Sequence, residues 1–130
     1  MVRTHGLSHI NLVVRDLDRA VRFYRDVFGV QEHLRDAESV QVLGPGPFDV
    51  ISFERAEIHS GRRGGITHFG FRLADPNDMP DAISQVERAG GRLLRSGEFG
   101  PGLPYAFVSD PDGYEIEIWY EWTPPLKAEP

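Results

Sequence analysis

The sequence predicts an α+β fold made of two βαβββ modules whose curved sheets form a cup. Three observations predict it. A strand-like run with histidine at its third position occurs twice, as L-S-H-I-N-L-V-V at 7–14 and I-T-H-F-G-F-R-L at 66–73. The two histidines, His9 and His68, are 59 residues apart. Each run leads to an amphipathic helical segment stopped by glycine, and each helix is followed by three more strand candidates parted by turn residues.

In chain order, the first run leads to Asp16, a cap candidate for a helix from Leu17 to Phe28. Leu17, Ala20, Val21, Tyr24, Val27 and Phe28 make one stripe at helical spacing, and Gly29 ends it. Strands are expected at about Gln31–Arg35, Ser39–Leu43 and Val50–Arg55, with a Gly44-Pro45-Gly46-Pro47 turn before the last. Arg62-Arg63-Gly64-Gly65 reads as the link between halves. In the second half Asp78 and Pro80 open a helix with Met79, Ala82, Ile83 and Val86 as its stripe, and Gly90-Gly91 closes it. Strands follow at about Arg92–Arg95, Tyr105–Ser109 and Tyr114–Glu121, the last two joined by Asp110-Pro111-Asp112-Gly113. The halves run from about 6 to 55 and 66 to 121 within one domain of residues 1–122, and the Pro-rich tail 123–130 is expected to fray. About 60 residues bury little core alone, so the two halves are expected to share one structural unit.

Bulk composition excludes several classes. The 130 residues are 40% hydrophobic and 26% charged, as in ordinary globular chains. A net charge of −6, with scattered arginines, argues against nucleic acid or an anionic membrane as partner. The absence of cysteine excludes disulfides, thiolate metal sites and a Cys nucleophile, and it suits a reducing, cytoplasmic location. No apolar run has the length of a signal peptide or a membrane span.

Strand parity then picks out a site. Side chains alternate between faces along a strand. Ile10, Leu12 and Val14 share one face, and His9 and Asn11 take the other. Phe69, Phe71 and Leu73 oppose His68, Gly70 and Arg72. In Y-E-I-E-I-W-Y-E at 114–121, Ile116 and Ile118 oppose Glu115, Glu117 and Trp119. Two imidazoles and a carboxylate on the non-packing faces, His9, His68 and Glu117, are thus placed to converge on one divalent ion. Around them, Asn11, Ser52, Tyr105, Phe107 and Trp119, with Trp122, are expected to line a substrate pocket. Arg72 can pair with an anionic group of the substrate, and Glu54 is the candidate general base. His59 can shuttle protons at the cup mouth, although a solvated loop histidine is the simpler reading; His5 reads as a frayed terminal residue. Residues 97–104, G-E-F-G-P-G-L-P, read as a flexible loop, a lid over the cup or a plain β-connection.

L-S-H-I-N-L-V-V-R-D-L-D-R-A-V-R-F-Y at 7–24, I-T-H-F-G-F at 66–71 and D-P-D-G-Y-E-I-E-I at 110–118 together resemble the vicinal oxygen chelate superfamily. It groups glyoxalase I, extradiol dioxygenases, fosfomycin-resistance enzymes and bleomycin-resistance proteins. The resemblance implies a glyoxalase/dioxygenase-like fold and metal ligation by His9, His68 and Glu117. Two positions depart from its patterns. Ser52 stands where glyoxalase I has a further carboxylate ligand, with Glu54 of the same parity, and Phe107 stands where extradiol dioxygenases usually have tyrosine. The resemblance therefore implies a metal-dependent enzyme acting on a small organic substrate through two adjacent oxygens, most in keeping with dioxygenase-like chemistry. A glyoxalase-type lyase or isomerase and a non-catalytic drug-binding protein of the bleomycin-resistance type are the alternatives. Fe(II) is the favoured ion, with Ni, Zn, Co or Mn compatible. A homodimer is expected, in which the halves pair within a chain or swap between chains.

Overall fold

The computed structural model describes residues 1, 3, 7, 9–46, 49–62, 64, 66 and 68–120. His5, Glu121, Trp122 and the tail lie outside them. The first module comprises β1 (Ile10–Val14), α1 (Leu17–Phe28), β2 (Gln31–Arg35), β3 (Ser39–Leu43) and β4 (Val50–Arg55). The second comprises β5 (Phe69–Arg72), a 3-10 turn at Pro76–Asp78, α2 (Met79–Arg88), β6 (Arg92–Glu98), β7 (Pro104–Ser109) and β8 (Glu115–Trp119). Each makes a four-stranded mixed sheet, in the orders β1-β4-β3-β2 and β5-β8-β7-β6. In both, the first strand runs parallel to the last, and the other neighbours are antiparallel. The fold is α+β. No helix among the described residues is long and apolar enough to cross a membrane.

The helix ends follow from local chemistry. The Asp16 carboxylate accepts the Arg19 N–H, and the Gly29 N–H donates to the Arg25 carbonyl with φ 69°. The stripe of α1 is wider than one face, because Phe23 is also buried. Its ring faces the second module, where a Cβ at Gly91 would stand 2.9 Å from it. One core joins the two modules. Leu12, Val14, Val40, Val42, Ile51 and Phe53 supply the first sheet's apolar face; Ala106, Val108, Ile116 and Ile118, under Met79 and Val86, supply the second's.

Several strand boundaries differ from expectation. The parallel ladders open at Ile10↔Ile51 and Phe69↔Ile116, so His9 and His68 stand one residue ahead of their strands rather than inside them. β6 continues to Glu98, because residues 99–103 close a tight hairpin. Its turn has Pro101 at the second position, Gly102 at the third with φ 76°, and Leu103 N–H donating to the Gly100 carbonyl. This is type II geometry. The segment is a built β-connection. β8 ends at Trp119.

The repeat survives in detail. β2 and β6, the outer strands, are exposed along their whole length, and each carries an irregularity at its third residue, between Glu32 and Leu34 and between Leu93 and Arg95.

The turn at 110–113 fastens the modules together. One Asp110 oxygen accepts the N–H groups of Asp112, Gly113 and Tyr114, and the other accepts the Tyr24 hydroxyl at 2.8 Å. Asp112 Oδ1 accepts the Arg15 N–H at 3.1 Å, Arg19 Nη2 at 3.0 Å and the Ser60 hydroxyl at 2.8 Å. Tyr114 donates to the Val13 carbonyl at 2.6 Å. Burial is the main cause that raises the Asp110 pKa to about 6, against the lowering effect of its donors. Tyr24, fully buried against that carboxylate, is held well above its ordinary range for the same first reason.

Candidate metal and substrate site

The second sheet presents its non-core face as a set of rungs. Gly70, Glu117, Phe107 and Arg95 form one rung, and Arg72, Trp119, Tyr105 and Gly97 form the next. Gly70 lies close against its ladder partner: a Cβ there would stand 2.8 Å from the Glu117 carbonyl oxygen and 3.4 Å from the Glu117 Cβ. His68, two residues before it, approaches the Glu117 carboxylate. Its Nε2 lies 3.2 Å from Glu117 Oε2, with the imidazole edge-on to Phe107 at 5.0 Å between ring centres. Two donors bound to one ion at about 2.1 Å, at right angles, stand about 3 Å apart. The imidazole and carboxylate therefore fit two neighbouring positions around a single divalent ion.

His9 does not join them within the chain. Among the described residues, no three His, Cys, Asp or Glu side chains gather closely enough to hold an ion. His9 shares a groove with Phe69 to Arg72, whereas His68 shares a different cavity with Ile10 to Val13. The two histidines therefore line different hollows of the structure. The structure brings His68 and Glu117 together and leaves His9 apart from them.

The first sheet reveals what stands at the fourth position. Asn11 pairs with Ser52, as Gly70 pairs with Glu117, and Gly70 is the repeat equivalent of Asn11. Ser52 therefore occupies the place that Glu117 holds in the other module. Glu54 lies one pair further on, opposite Val13, where its exposed carboxylate accepts from Asn11 Nδ2 at 3.4 Å.

The wall beside Glu117 is aromatic. Phe99 stacks on Tyr105 at 4.4 Å, and Tyr105 meets Phe107 edge-on at 5.8 Å. Arg95 lies 4.1 Å over the Phe107 ring and pairs with the buried Glu115 at 2.9 Å. Arg72 lies 4.8 Å over Trp119. Arg95, Phe99 and Leu103 were not anticipated from sequence. The irregularity between Leu93 and Arg95 breaks the alternation that would have assigned Arg95 to this face. His59 stands exposed with φ 73°, at the mouth of the cavity that holds His68.

Comparison with known proteins agrees with this architecture. The chain is 33% identical over 126 residues to a lactoylglutathione lyase of Haemophilus influenzae, covering 86% of this chain and 90% of that one. It is 27% identical over 125 residues to a manganese-dependent 2,3-dihydroxybiphenyl 1,2-dioxygenase of Geobacillus genomosp. 3, covering 94% of this chain but only 38% of the longer enzyme. In fold it is similar to the fosfomycin resistance protein FosX of Listeria monocytogenes, with a TM-score of 0.78 at 18% identity over 92% of this chain and 96% of that one. The pattern of the Glyoxalase/Bleomycin resistance protein/Dioxygenase superfamily matches residues 6–118, and the chain belongs to that family.

Proposed function

We propose that this chain is a metal-dependent enzyme that binds a small organic substrate through two adjacent oxygen atoms, with ring-cleaving, dioxygenase-like chemistry favoured. The observation that carries the reading is the 3.2 Å approach of His68 Nε2 to Glu117 Oε2 on a face lined by aromatic side chains. The third donor is His9 from a second copy of the chain, so the enzyme is a homodimer with swapped halves. The convergence of only two ligands in one chain, and the separate groove around His9, support that arrangement.

When bound, a divalent ion supplies Lewis acidity and, if it is Fe(II) or Mn(II), sites open to oxygen. The protein's part is positional. His68 is braced edge-on by Phe107, at 5.0 Å between ring centres. Ser52 at the fourth position leaves the donor set at two imidazoles and one carboxylate, which suits Fe(II). The manganese-dependent relative supports Mn as well, and Ni, Zn and Co remain compatible. Asn11, Tyr105, Phe107 and Trp119 flank the substrate, and Arg72 counters its charge.

A second reading is a glyoxalase-type lyase or isomerase. It is favoured by the 33% identity to a lactoylglutathione lyase, and by Glu54, whose exposed carboxylate beside Asn11 can take a proton from a carbon acid. Elemental analysis of protein purified without chelator, followed by anaerobic reconstitution with Fe(II) or Mn(II), separates the two. Oxygen uptake with catechols supports the dioxygenase. Stoichiometric metal with no oxygen uptake, and turnover of a hemithioacetal, supports the lyase. Failure to load any ion overturns both.

A further inference from the structure

Glu115 is a buried acid to which the metal reading gives no part. Its side chain is only 3% exposed, and it shares a face of β8 with Glu117, two positions on. A carboxylate taken out of water is costly unless an opposite charge meets it. Arg95 meets it, with Nη1 donating to Oε1 at 2.9 Å. The pair spans the sheet. Arg95 on β6 stands opposite Phe107 on β7, which stands opposite Glu117 on β8, whereas Glu115 stands opposite Ser109. The arginine therefore crosses β7 to reach a neighbouring rung of β8. Its guanidinium carbon lies 4.1 Å from the centre of the Phe107 ring on the way.

The irregularity in β6 is what aims Arg95 there. Leu93 pairs with the buried Val108, and an unbroken ladder would then set Arg95 against the buried Ala106 on the core face. The extra residue sets it against Phe107 instead. Phe107 is half-buried on the open face of the sheet, so core packing does not fix its ring. Two contacts do: the Arg95 guanidinium over the ring, and His68 edge-on to it. The diagonal from Arg95 to Glu115 and the diagonal from His68 to Glu117 thus meet at one ring.

We propose that Arg95 and Glu115 are positioning residues for the metal site, a clamp that fixes the Phe107 ring and through it holds the His68 imidazole in place beside Glu117. This rests on the metal reading above and gives the ion pair a part in metal affinity rather than in the stability of the sheet. Glu115 anchors the guanidinium, the guanidinium covers the ring, and the ring limits the rotation of the imidazole. With the clamp gone, His68 must be ordered when the ion arrives, and that ordering weakens binding.

The test measures Co(II) affinity of the full chain by competition with a fluorescent chelator. Arg95→Leu/Glu115→Leu removes both charges together and strands neither, so it is expected to keep the parent's circular dichroism and melting. Its Co(II) affinity is expected to fall about 10-fold, the scale of an outer-shell change. Arg95→Lys keeps the charge but loses the flat guanidinium over the ring, and is expected to lose about 3-fold or more. Phe107→Leu is expected to lose about 10-fold, and adding the leucine pair to it no more than about 2-fold further, because both act through one ring. In metal-free protein, the imidazole nitrogen signals of His68 are expected to broaden or shift in the leucine pair, while those of the remote His33 stay in place. Co(II) affinity within about 2-fold of the parent in the leucine pair, or in Arg95→Lys should the pair not fold, overturns the clamp and spares the metal reading. Unchanged His68 signals do the same. A full further loss in the Phe107→Leu background overturns the route through the ring. If the parent binds no Co(II), the metal reading falls and the clamp with it.

Discussion

His68 and Glu117 meet diagonally. The ladder partner of Glu117 is Gly70, two residues beyond His68, yet His68 Nε2 stands 3.2 Å from Glu117 Oε2. A Cβ at Gly70 would stand 2.8 Å from the Glu117 carbonyl oxygen, so glycine is what fits between the two strands beside the pair. If the pair holds an ion, removing either member must cost metal before it costs fold, since neither side chain belongs to the apolar core. His68→Ala and Glu117→Gln are expected to weaken metal binding by more than about 100-fold, beyond the loss typical of an outer-shell change. Their circular dichroism and melting in chelator should match the parent. Metal content by mass spectrometry checks this, and stoichiometric metal in both variants would remove the assignment.

The position of His9 gives a sharper test. In a swapped dimer each site takes His9 from one chain and His68 with Glu117 from the other. His9→Ala and Glu117→Ala should each bind no metal, but unfolded and refolded together they complement. Random reassortment makes about half of the dimers mixed, and each mixed dimer has one intact site, so about a quarter of sites should regain metal. Halves paired within a chain would regain none.

The parts of this structure that were legible in the sequence are those with local causes. Asp16 and Gly29 bound α1 because a cap and a stop act on the residues beside them. The alternation of buried and part-exposed residues in V-I-S-F reported β4 for the same reason. The identities of His9, His68 and Glu117 as candidates were legible because the repeat places them at matching strand positions. Their separation was not, because the seam between modules is set by packing among Phe23, Gly91, Asp110 and Asp112, which are distant in sequence. Asp110-Pro111-Asp112-Gly113 reads as a turn and is one. The burial of its two carboxylates shows only when Tyr24 and Arg19 of α1 are seen against them. The aromatic wall was half legible: Tyr105 and Phe107 lie on an alternating strand, whereas Phe99 and Leu103 owe their place to the turn between them.

Ser52 offers a gain-of-ligand test. By register it is the counterpart of Glu117, and it sits where glyoxalase I carries a carboxylate. Ser52→Glu is expected to tighten divalent metal binding about 10-fold or more by adding a hard oxygen donor, and to suppress oxygen uptake by filling an open position. Ser52→Ala should leave metal affinity within about 2-fold of the parent. Competition with a fluorescent chelator gives the constants. No tightening in the glutamate variant would show that Ser52 lies outside the ion's reach.

Asp110 makes the docking of the two modules depend on pH. Its pKa rises from 3.8 to about 6 on folding, so the native state holds this proton more tightly than the unfolded chain does. The associated stability is fully present below about pH 4 and is lost as pH climbs through about 6. Above that, a buried carboxylate faces Tyr24 with the charge that burial opposes, at a cost of at most about 3 kcal/mol. Asp110→Asn removes the titration and keeps an oxygen to accept the N–H groups of Asp112, Gly113 and Tyr114. The difference in melting temperature, variant minus parent, should therefore rise between pH 4.5 and pH 7.5, even if the variant is the less stable protein at the acid end. Chemical denaturation at the two pH values gives the same difference in free energy. A difference that stays flat or falls across that range would mean that Asp110 is ionised in the native state throughout, and that the Tyr24 hydroxyl and the three N–H groups outweigh its burial.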